Sequence, residues 1–305
     1  MKKFSEFYHD LNGEFRENFP LANLTWFKVG GPAQMLFIPE NKDDLVKFIK
    51  KCPIKYPKTV IGAGSNLLIR DGGIPGIVIS TQKVNSIKPF DLSLYAECGA
   101  LDMTISREAS KYGITGLEFL IGIPGTIGGG IKMNAGSYGM EIKDILQDVE
   151  VIDYSGAVFK ISSDELEMEY RKSNTPNDWL FLSCNLRGEK SESHKIRSRM
   201  KEIMKDRKNN QPINKLTSGS TFKNPYKMKS WELIDAAGCR GLTLGNAKVS
   251  EKHCNFLINN GKANSSEIEK LGNIVKEKVL KKSGINLEWE IIRIGNEIEN
   301  ELDHE

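Results

Sequence analysis

The chain has 305 residues, of which 39% are hydrophobic and 27% charged, and its formal net charge is +3. This balance argues against global disorder and against a polyanion partner for the whole surface, and the length predicts about two domains. Uninterrupted apolar runs fall short of the ~18 residues of a membrane helix, so we expect no membrane insertion. The N-terminus has no apolar core typical of a signal peptide, which predicts a cytoplasmic protein.

Apolar periodicity and turn residues predict the elements in chain order. The segments expected to be helical are 41–52, 103–113, 193–212 and 265–284. The segments expected to be extended are 59–64, 76–80, 94–100, a hairpin at 148–162 and 287–295. We expect Asn41 to cap the first helix, and Ser266 with Glu269 to form a capping box on the last.

The helix predicted at 193–212 is basic, and its apolar residues share one face. This pattern predicts an amphipathic surface helix, and nucleic-acid binding is the alternative. No aromatic residues interleave with its lysines and arginines to stack on bases, so we expect no nucleic-acid partner.

Cysteine and histidine spacings predict no metal site. The five cysteines are scattered without a Cys-x-x-Cys pair, which is typical of reduced thiols in the cytoplasm. The four histidines lie far apart in sequence and match no usual zinc spacing.

A glycine-containing turn, GAGSN at residues 62–66, overlaps the end of the extended segment predicted at 59–64. A Rossmann fingerprint needs a third glycine and a helix, but here LLI and then Asp71-Gly72-Gly73 follow at once. No Gly-Lys-Ser/Thr is present, so the turn is not a P-loop either. Successive main-chain N–H groups in such a turn can form an anion-binding nest, and a simple tight turn is the alternative.

A second glycine-rich segment, at residues 116–139, is nearly free of charge. Glycine at this density favours neither helix nor strand, so we predict an ordered loop whose main chain approaches a ligand closely. A buried, turn-rich connection is the alternative.

Together, "GAGSNLL" and "GIPGTIGGGIKMNAGSYG" resemble the UDP-N-acetylenolpyruvoylglucosamine reductase family of flavoproteins, in its shorter form without a tyrosine-bearing insertion. The resemblance covers roughly residues 20–295, and its further motifs occur in family order. These motifs are "YRKS" at 170–173, "QP" at 211–212, "SGSTFKNP" at 218–225, "AGCRGLTLGNAKVSEKHCNFLINNG" at 237–261 and "LEWEIIRIG" at 287–295.

The resemblance implies an α+β fold, with a vanillyl-alcohol-oxidase/PCMH-type FAD-binding part in two subdomains and a C-terminal α+β substrate domain. The expected divisions are an N-terminal extension 1–19, FAD-binding subdomains 20–85 and 86–195, a substrate-binding domain 196–295 and an acidic tail 296–305. It further implies a monomer that uses NADPH to reduce UDP-N-acetylglucosamine enolpyruvate to UDP-N-acetylmuramate for peptidoglycan.

FAD is the cofactor that the resemblance implies, and NADPH is the co-substrate. We expect FAD to be held non-covalently, because neither glycine segment offers a histidine or cysteine for attachment. The residues expected to contact FAD are Gly62, Ala63, Gly64, Ser65, Asn66, Gly122, Pro124, Gly125, Thr126, Gly128, Gly129, Asn134 and Ala135.

Three residues match the family's catalytic positions. Ser220 matches the proton donor to C2 of the substrate, and Arg171 matches the arginine that binds the substrate carboxylate. Glu290 matches a glutamate that assists the enol or the proton delivery, a role that needs burial to raise its pKa. Lys223 and Asn224 match positions near the sugar diphosphate. Each residue read alone is typical of a surface loop or strand.

Three departures from the family pattern are visible. Trp289 stands where proline is usual, so the main chain at Glu290 is expected to differ. Gly130 and Cys254 stand where alanine is common, and because both residues are also small, we expect little consequence. Two other functions fit parts of the pattern: an FAD-dependent sugar or alcohol oxidase of the same fold, and a non-enzymatic nucleotide- or RNA-binding protein.

Overall fold

The computed structural model describes residues 10–298, so residues 1–9 and 299–305, with most of the predicted acidic tail, lie outside the described residues. The chain divides into two compact units. Within the described residues, unit 1 comprises 10–17, 35–63 and 76–206, and unit 2 comprises 18–34, 64–75 and 207–298.

Helices and strands are mixed along the chain, as an α+β fold requires. The helices are α1 (Lys42–Lys51), α2 (Asp102–Lys111), α3 (Ile127–Lys132), α4 (Ser193–Asn210), α5 (Ser230–Ala236) and α6 (Ser265–Ser283). The strands are β1 (Glu14–Pro20), β2 (Pro32–Ile38), β3 (Lys58–Ile61), β4 (Leu67–Ile69), β5 (Ile74–Ser80), β6 (Ile87–Phe90), β7 (Ser93–Glu97), β8 (Ile114–Thr115), β9 (Gly136–Ser137), β10 (Met140–Glu141), β11 (Leu146–Asp153), β12 (Val158–Ser162), β13 (Trp179–Arg187), β14 (Glu189–Lys190), β15 (Thr243–Leu244), β16 (Ala247–Val249), β17 (Leu257–Asn259) and β18 (Ile292–Ile294).

Unit 1 is built on two sheets. A five-stranded antiparallel sheet has the order β12-β11-β13-β7-β6, and its β11–β12 hairpin confirms the one predicted at 148–162. A four-stranded sheet, order β1-β2-β5-β3, contributes most of its residues to this unit. Its β3 pairs in parallel with β5 and ends at Ile61, directly before the first glycine turn.

Unit 2 packs helices α5 and α6 around small sheets. The strands β15, β16 and β17 form an antiparallel sheet, and β4 pairs in parallel with β18. The core of this unit includes Phe222, Ile268, Leu271 and Val275, which are all buried. Three of these four residues lie on the helical face that the sequence pattern predicts for 265–284.

Two helices agree well with their sequence signals. Asn41 caps α1, accepting a hydrogen bond of 3.0 Å from the Asp44 main-chain N–H, as predicted. The apolar face of α4 is also as predicted: Ile196, Met200 and Ile203 are buried in one cluster with Ile121.

The capping box predicted for α6 is wrong. The box is made by Asn264 and Glu267, two residues earlier than predicted. Asp71 also accepts hydrogen bonds of 3.0 Å from the first two helical N–H groups, those of Ser265 and Ser266. Glu269 instead binds Arg70 and Arg293, at 2.9 Å and 2.8 Å. The helix therefore begins at a local capping box that the sequence offers at 264–267, and Asp71 adds an acceptor that is distant in sequence.

Two other predictions need correction. The segment 116–139 is not wholly a loop, because α3 forms within it despite three glycines. The strand predicted at 287–295 is shorter than expected, since only Ile292–Ile294 forms a strand, and Trp289 makes a single antiparallel bridge with Phe222. In the part of the chain from residue 10 to residue 298, no helix combines the length and apolarity needed to span a bilayer.

Candidate active site

The two glycine-rich segments meet within unit 1. A Cβ atom added to Gly62 would lie 2.2 Å from the Thr126 Oγ1 atom. Real Cβ atoms do not approach other atoms this closely, so glycine is required for the contact. The main chain at the end of β3 therefore lies directly against the second glycine segment, although the two are far apart in sequence.

The second half of the first turn belongs to unit 2. Gly64 has a φ of +64°, and a Cβ atom there would lie 2.0 Å from the Leu24 carbonyl oxygen, so both its conformation and its surroundings require glycine. The Asn66 side chain donates a hydrogen bond of 3.1 Å to the Glu290 carbonyl oxygen. A predicted cofactor residue is thus held beside a predicted catalytic residue.

Main-chain donors in both glycine segments are left without protein partners. Among residues 10–298 no acceptor is found for the N–H groups of Ala63, Gly64, Ser65, Gly125, Thr126 and Gly129. Gly129 is exposed and Ala63 and Gly125 are half-buried, so these N–H groups are open to a ligand, and runs of such groups form the concave nests that bind anions. The donors of unit 1, which are those of Ala63, Gly125, Thr126 and Gly129, fit the pyrophosphate of FAD, to which they offer uncharged hydrogen bonds.

Helix α3 is held tightly against the end of β7. Ile127 and Gly128 donate main-chain hydrogen bonds of 2.9 Å to the carbonyl oxygens of Ala100 and Cys98. A Cβ atom at Gly128 would lie 2.9 Å from Cys98, whereas one at Gly130 would lie 3.5 Å from Ile142, an ordinary contact. Alanine, the residue usual in the family at position 130, therefore fits this fold.

The remaining residues predicted to contact FAD lie in the same segment of unit 1. Gly122 ends a 3-10 turn beside the Tyr138 ring, and Pro124 lies in the connection to α3. Ala135 donates to the Gly130 carbonyl oxygen and accepts from Ile142, at 2.8 Å and 3.0 Å. The main-chain N–H of Asn134 and both hydrogens of its Nδ2 group already donate to acceptors within unit 1. Asn134 can therefore offer a cofactor only its oxygen atoms.

Arg171 also belongs to unit 1. It lies in a tight turn with a φ of +56°, and its Nη2 atom donates a hydrogen bond of 3.0 Å to the Gly136 carbonyl oxygen. The guanidinium carbon lies 4.8 Å from the centre of the Tyr170 ring. The guanidinium is therefore held beside the β9–β10 hairpin that follows α3.

Ser220 and Glu290 are neighbours in unit 2. The Glu290 N–H donates a hydrogen bond of 2.8 Å to the carbonyl oxygen of Thr221, the residue after Ser220. Ser220 is half-buried and follows Gly219, which has a φ of +78°. Within residues 10–298 the Ser220 hydroxyl makes no hydrogen bond, which leaves it available to a substrate.

The main chain beside Glu290 is anchored by Trp289. A Cβ atom at Gly272, in the middle of α6, would lie 2.1 Å from the Trp289 ring. The Trp289 ring also contacts Phe222, with centroids 5.1 Å apart, and the Arg293 guanidinium, 4.6 Å from the ring centre. The tryptophan that replaces the usual proline is thus accommodated by a glycine. Glu290 itself is only half-buried, less than the expected role requires.

Lys223 and Asn224 follow Ser220 in the same loop. The Lys223 ammonium lies 3.5 Å from the Glu288 carboxylate, which is 75% exposed. Asn224 is exposed, and its Oδ1 atom accepts a hydrogen bond of 3.0 Å from the Ser230 N–H. Lys223 therefore has an exposed acidic neighbour that a phosphate would have to displace or share.

Sequence reasoning missed Asp102, which begins α2. Its side chain is 0% exposed, and within residues 10–298 neither carboxyl oxygen has a hydrogen-bond partner. This burial raises the pKa of the Asp102 carboxyl to about 8. An acid in the first turn of a helix is usually a solvated residue that complements the helix dipole, so the sequence carried no signal of burial.

We expect Asp102 to make stability depend on pH. The folded protein keeps a proton on Asp102 up to about pH 8, whereas the unfolded chain releases it near the usual value of 3.8. The free energy of unfolding should therefore fall between these values by up to about 1.4 kcal/mol per pH unit, relative to Asp102→Asn. Urea unfolding across this range measures the slope. Ser106→Ala, which changes a buried neighbour that does not titrate, should keep the wild-type slope of unfolding free energy against pH. Equal slopes in wild type and Asp102→Asn would contradict this account.

Taken together, an α+β fold with two glycine segments that present unpaired main-chain donors defines an FAD-binding protein. A family model described as "FAD binding domain" matches residues 33–162. A second model, described as "UDP-N-acetylenolpyruvoylglucosamine reductase, C-terminal domain", matches residues 211–294.

Similar proteins extend these matches over nearly the whole chain. A UDP-N-acetylenolpyruvoylglucosamine reductase from Paramagnetospirillum magneticum is 47% identical over 93% of each chain. One from Bradyrhizobium sp. is 48% identical over 93% of this chain and 94% of its own. The crystal structure of the reductase (MurB) from Thermus caldophilus has 33% identity and a TM-score of 0.79, covering 93% of this chain and 99% of that one. The chain belongs to the UDP-N-acetylenolpyruvoylglucosamine reductase family.

Proposed function

We propose that this chain reduces UDP-N-acetylglucosamine enolpyruvate, the enolpyruvyl substrate, to UDP-N-acetylmuramate with NADPH as the reductant, in peptidoglycan precursor synthesis. The observation that carries the proposal is the contact of Gly62 with Thr126 within unit 1, which brings the unpaired N–H group of Ala63 close to those of Gly125 and Thr126 in a chain of this family. When bound, FAD supplies the hydride chemistry, taking hydride from NADPH and delivering it to C3 of the substrate.

Gly62 and Ala63 of the first glycine turn and the segment 122–135, all in unit 1, would hold the FAD pyrophosphate. Main-chain N–H groups suit this task because they bind an anion without adding charge near the redox centre. The predicted FAD contacts in these segments stay predictions, and for Asn134 they concern oxygen atoms only.

The protein's own groups would handle the substrate carboxylate and the proton. Arg171 would bind the carboxylate, where negative charge grows as C3 accepts hydride. Ser220 would donate its hydroxyl proton to C2, and Glu290 would assist the enol or the delivery of that proton. Lys223 and Asn224 would lie near the diphosphate. The unpaired Ser220 hydroxyl and its neighbour Glu290 support these roles.

We extend the proposal to organisation and partners. We propose FAD-binding subdomains at 20–85 and 86–195 and a substrate-binding domain at 196–295. The compact units divide the chain differently, because 18–34 and 64–75 belong to unit 2 and 76–206 belongs to unit 1. We propose a cytoplasmic monomer without a nucleic-acid partner. The buried apolar face of α4 supports a packing role for that helix.

Product analysis tests the proposed function. Purified protein should oxidise more than one equivalent of NADPH per flavin only when the enolpyruvyl substrate is present, and mass spectrometry should find a product heavier by two hydrogen atoms. NADPH oxidation that depends on O₂ and yields hydrogen peroxide, with unchanged enolpyruvyl substrate, would contradict the proposal and favour an oxidase.

We expect Arg171→Ala to slow the oxidative half-reaction, which is the transfer from reduced flavin to the enolpyruvyl substrate. Loss of a preorganised charge at the developing anion should cost about 10²–10³-fold. Flavin reduction by NADPH, the reductive half-reaction, should change little. Stopped-flow absorbance measures both steps, and Arg187→Ala, an exposed arginine of unit 1, is the matched control. A similar loss in both half-reactions would argue against the carboxylate role.

A further inference from the structure

The turn that carries Arg171 is held by a neighbouring side chain. Glu169 and Lys172 exchange main-chain hydrogen bonds of 2.9 Å and 3.2 Å, which leaves Tyr170 and Arg171 as a two-residue loop. Arg171 has a φ of +56°, a left-handed conformation that costs a non-glycine residue about 1 kcal/mol or more. Surrounding contacts must therefore stabilise this loop.

Asn134 supplies the contacts that do so. It is 0% exposed, and its Nδ2 group donates to the Glu169 carbonyl oxygen at 3.0 Å and to the Glu141 carboxylate at 3.1 Å. Its Oδ1 atom accepts a hydrogen bond of 3.1 Å from the Lys143 N–H. One buried amide thus joins the base of the Arg171 loop to the β9–β10 hairpin and the turn that follows it.

Glu141 connects this amide to the guanidinium. Its Oε2 atom accepts from Asn134 and lies 3.0 Å from the Lys143 ammonium, while its Oε1 atom lies 3.9 Å from Arg171 Nη1. The Arg171 side chain is 17% exposed and that of Glu141 is 23% exposed. At 3.9 Å this ion pair is longer than a hydrogen bond, so Glu141 attracts the guanidinium by charge, while the 3.0 Å hydrogen bond from Nη2 to the Gly136 carbonyl oxygen fixes its direction.

We propose that Asn134 is a positioning residue for the Arg171 guanidinium, acting through the Glu169 carbonyl group and the Glu141 carboxylate. The inference rests on the proposed function, in which Arg171 binds the substrate carboxylate. A guanidinium that binds a carboxylate bidentately must be held within a fraction of an ångström, and misplacement by about 1 Å can cost 10²-fold in rate. Asn134 therefore affects the substrate step without touching the substrate.

Two variants of Asn134 test this role. Asn134 has a φ of +41°, which aspartate and glycine tolerate, so Asn134→Asp and Asn134→Gly remove the amide donors without straining the main chain. Asn185→Ala is the control, because it removes an amide in unit 1 whose Nδ2 donates at 2.8 Å to Asp148.

We expect both variants to raise KM for the enolpyruvyl substrate and to slow flavin reoxidation by it, each by about 10-fold or more. With FAD added to saturation, flavin reduction by NADPH should slow much less than flavin reoxidation by the substrate, and the thermal midpoint should stay within a few degrees of wild type. Equal slowing of both half-reactions in FAD-saturated protein would overturn the proposal in favour of a cofactor or folding role.

A double-mutant cycle separates positioning from direct action. On an Arg171→Ala background, Asn134→Gly should slow flavin reoxidation by less than about two-fold further, because the group that it positions is already gone. An undiminished effect on that background would overturn the proposal. Wild-type protein that fails to reduce the enolpyruvyl substrate would refute the proposed function instead, so the two failures are distinguishable.

Discussion

Ser220→Ala is expected to slow flavin reoxidation by the enolpyruvyl substrate by about 10²–10⁴-fold, the usual contribution of a general acid. Flavin reduction by NADPH should stay within about two-fold of wild type, because that step needs no proton at C2. The physical reason is the place of the hydroxyl: it is half-buried, unpaired among residues 10–298, and adjacent to the Thr221 carbonyl group that binds the Glu290 N–H. Stopped-flow absorbance of the flavin measures the two steps separately.

Ser218 provides a matched control in the same loop. It is 1% exposed, and its hydroxyl donates a hydrogen bond of 3.2 Å to the Leu67 carbonyl oxygen. Ser218→Ala should therefore cost about 1 kcal/mol of stability and leave both half-reactions nearly unchanged. Equal slowing of the two half-reactions in Ser220→Ala would be incompatible with a proton donor.

Gly272→Ala is the second change with a large expected effect. Replacing glycine by alanine inside a helix normally stabilises by up to about 1 kcal/mol. Here the added Cβ atom would lie 2.1 Å and 2.4 Å from two carbon atoms of the Trp289 ring, so overpacking should instead destabilise the protein by about 1–3 kcal/mol. Denaturant unfolding measures the free energy of unfolding of both proteins and shows whether Gly272→Ala lowers it, as expected here, or raises it.

The effect of Gly272→Ala should extend to the site, because displacement of Trp289 moves the adjacent Glu290. We expect slower flavin reoxidation by the enolpyruvyl substrate, with flavin reduction by NADPH less affected. Gly130→Ala is the control, since its Cβ atom would make only an ordinary contact of 3.5 Å with Ile142. On a Trp289→Ala background, Gly272→Ala should be neutral or stabilising; a persistent loss of stability there would disprove the steric explanation.

Elements with local signals were predicted well from the sequence. The Asn41 cap, the hairpin at 148–162 and the apolar face of α4 depend on residues within a few positions of one another. Capping, turn chemistry and helical periodicity are all short-range effects, so no knowledge of the fold was needed.

Elements whose formation depends on distant partners were predicted poorly. Helix α3 forms despite its glycines because its first N–H groups bond to the carbonyl oxygens of Ala100 and Cys98. The main chain at Trp289 depends in the same way on Gly272, in the middle of α6. Each of these is a tertiary contact, which overrides local propensity.

The residues of the candidate site also fall into those that the sequence indicated and those that depend on the fold. The family motifs gave the identities of Ser220, Arg171 and Glu290, and the structure adds what holds each of them. Asp102 carried no signal, and the motif that named Asn134 gave no indication that its amide binds the Arg171 loop, because burial cannot be read from a carboxylate at a helix start or an asparagine beside glycines. Where a side chain's hydrogen bonds go depends on the folded surroundings.

An anaerobic double-mixing experiment tests the central claim most directly. The protein is reduced with one equivalent of NADPH and then mixed with the enolpyruvyl substrate while the flavin absorbance is followed. We predict full reoxidation by the substrate without O₂, with one product molecule formed per flavin. A flavin that stays reduced until O₂ is admitted, or a protein that binds no FAD at all, would contradict the account.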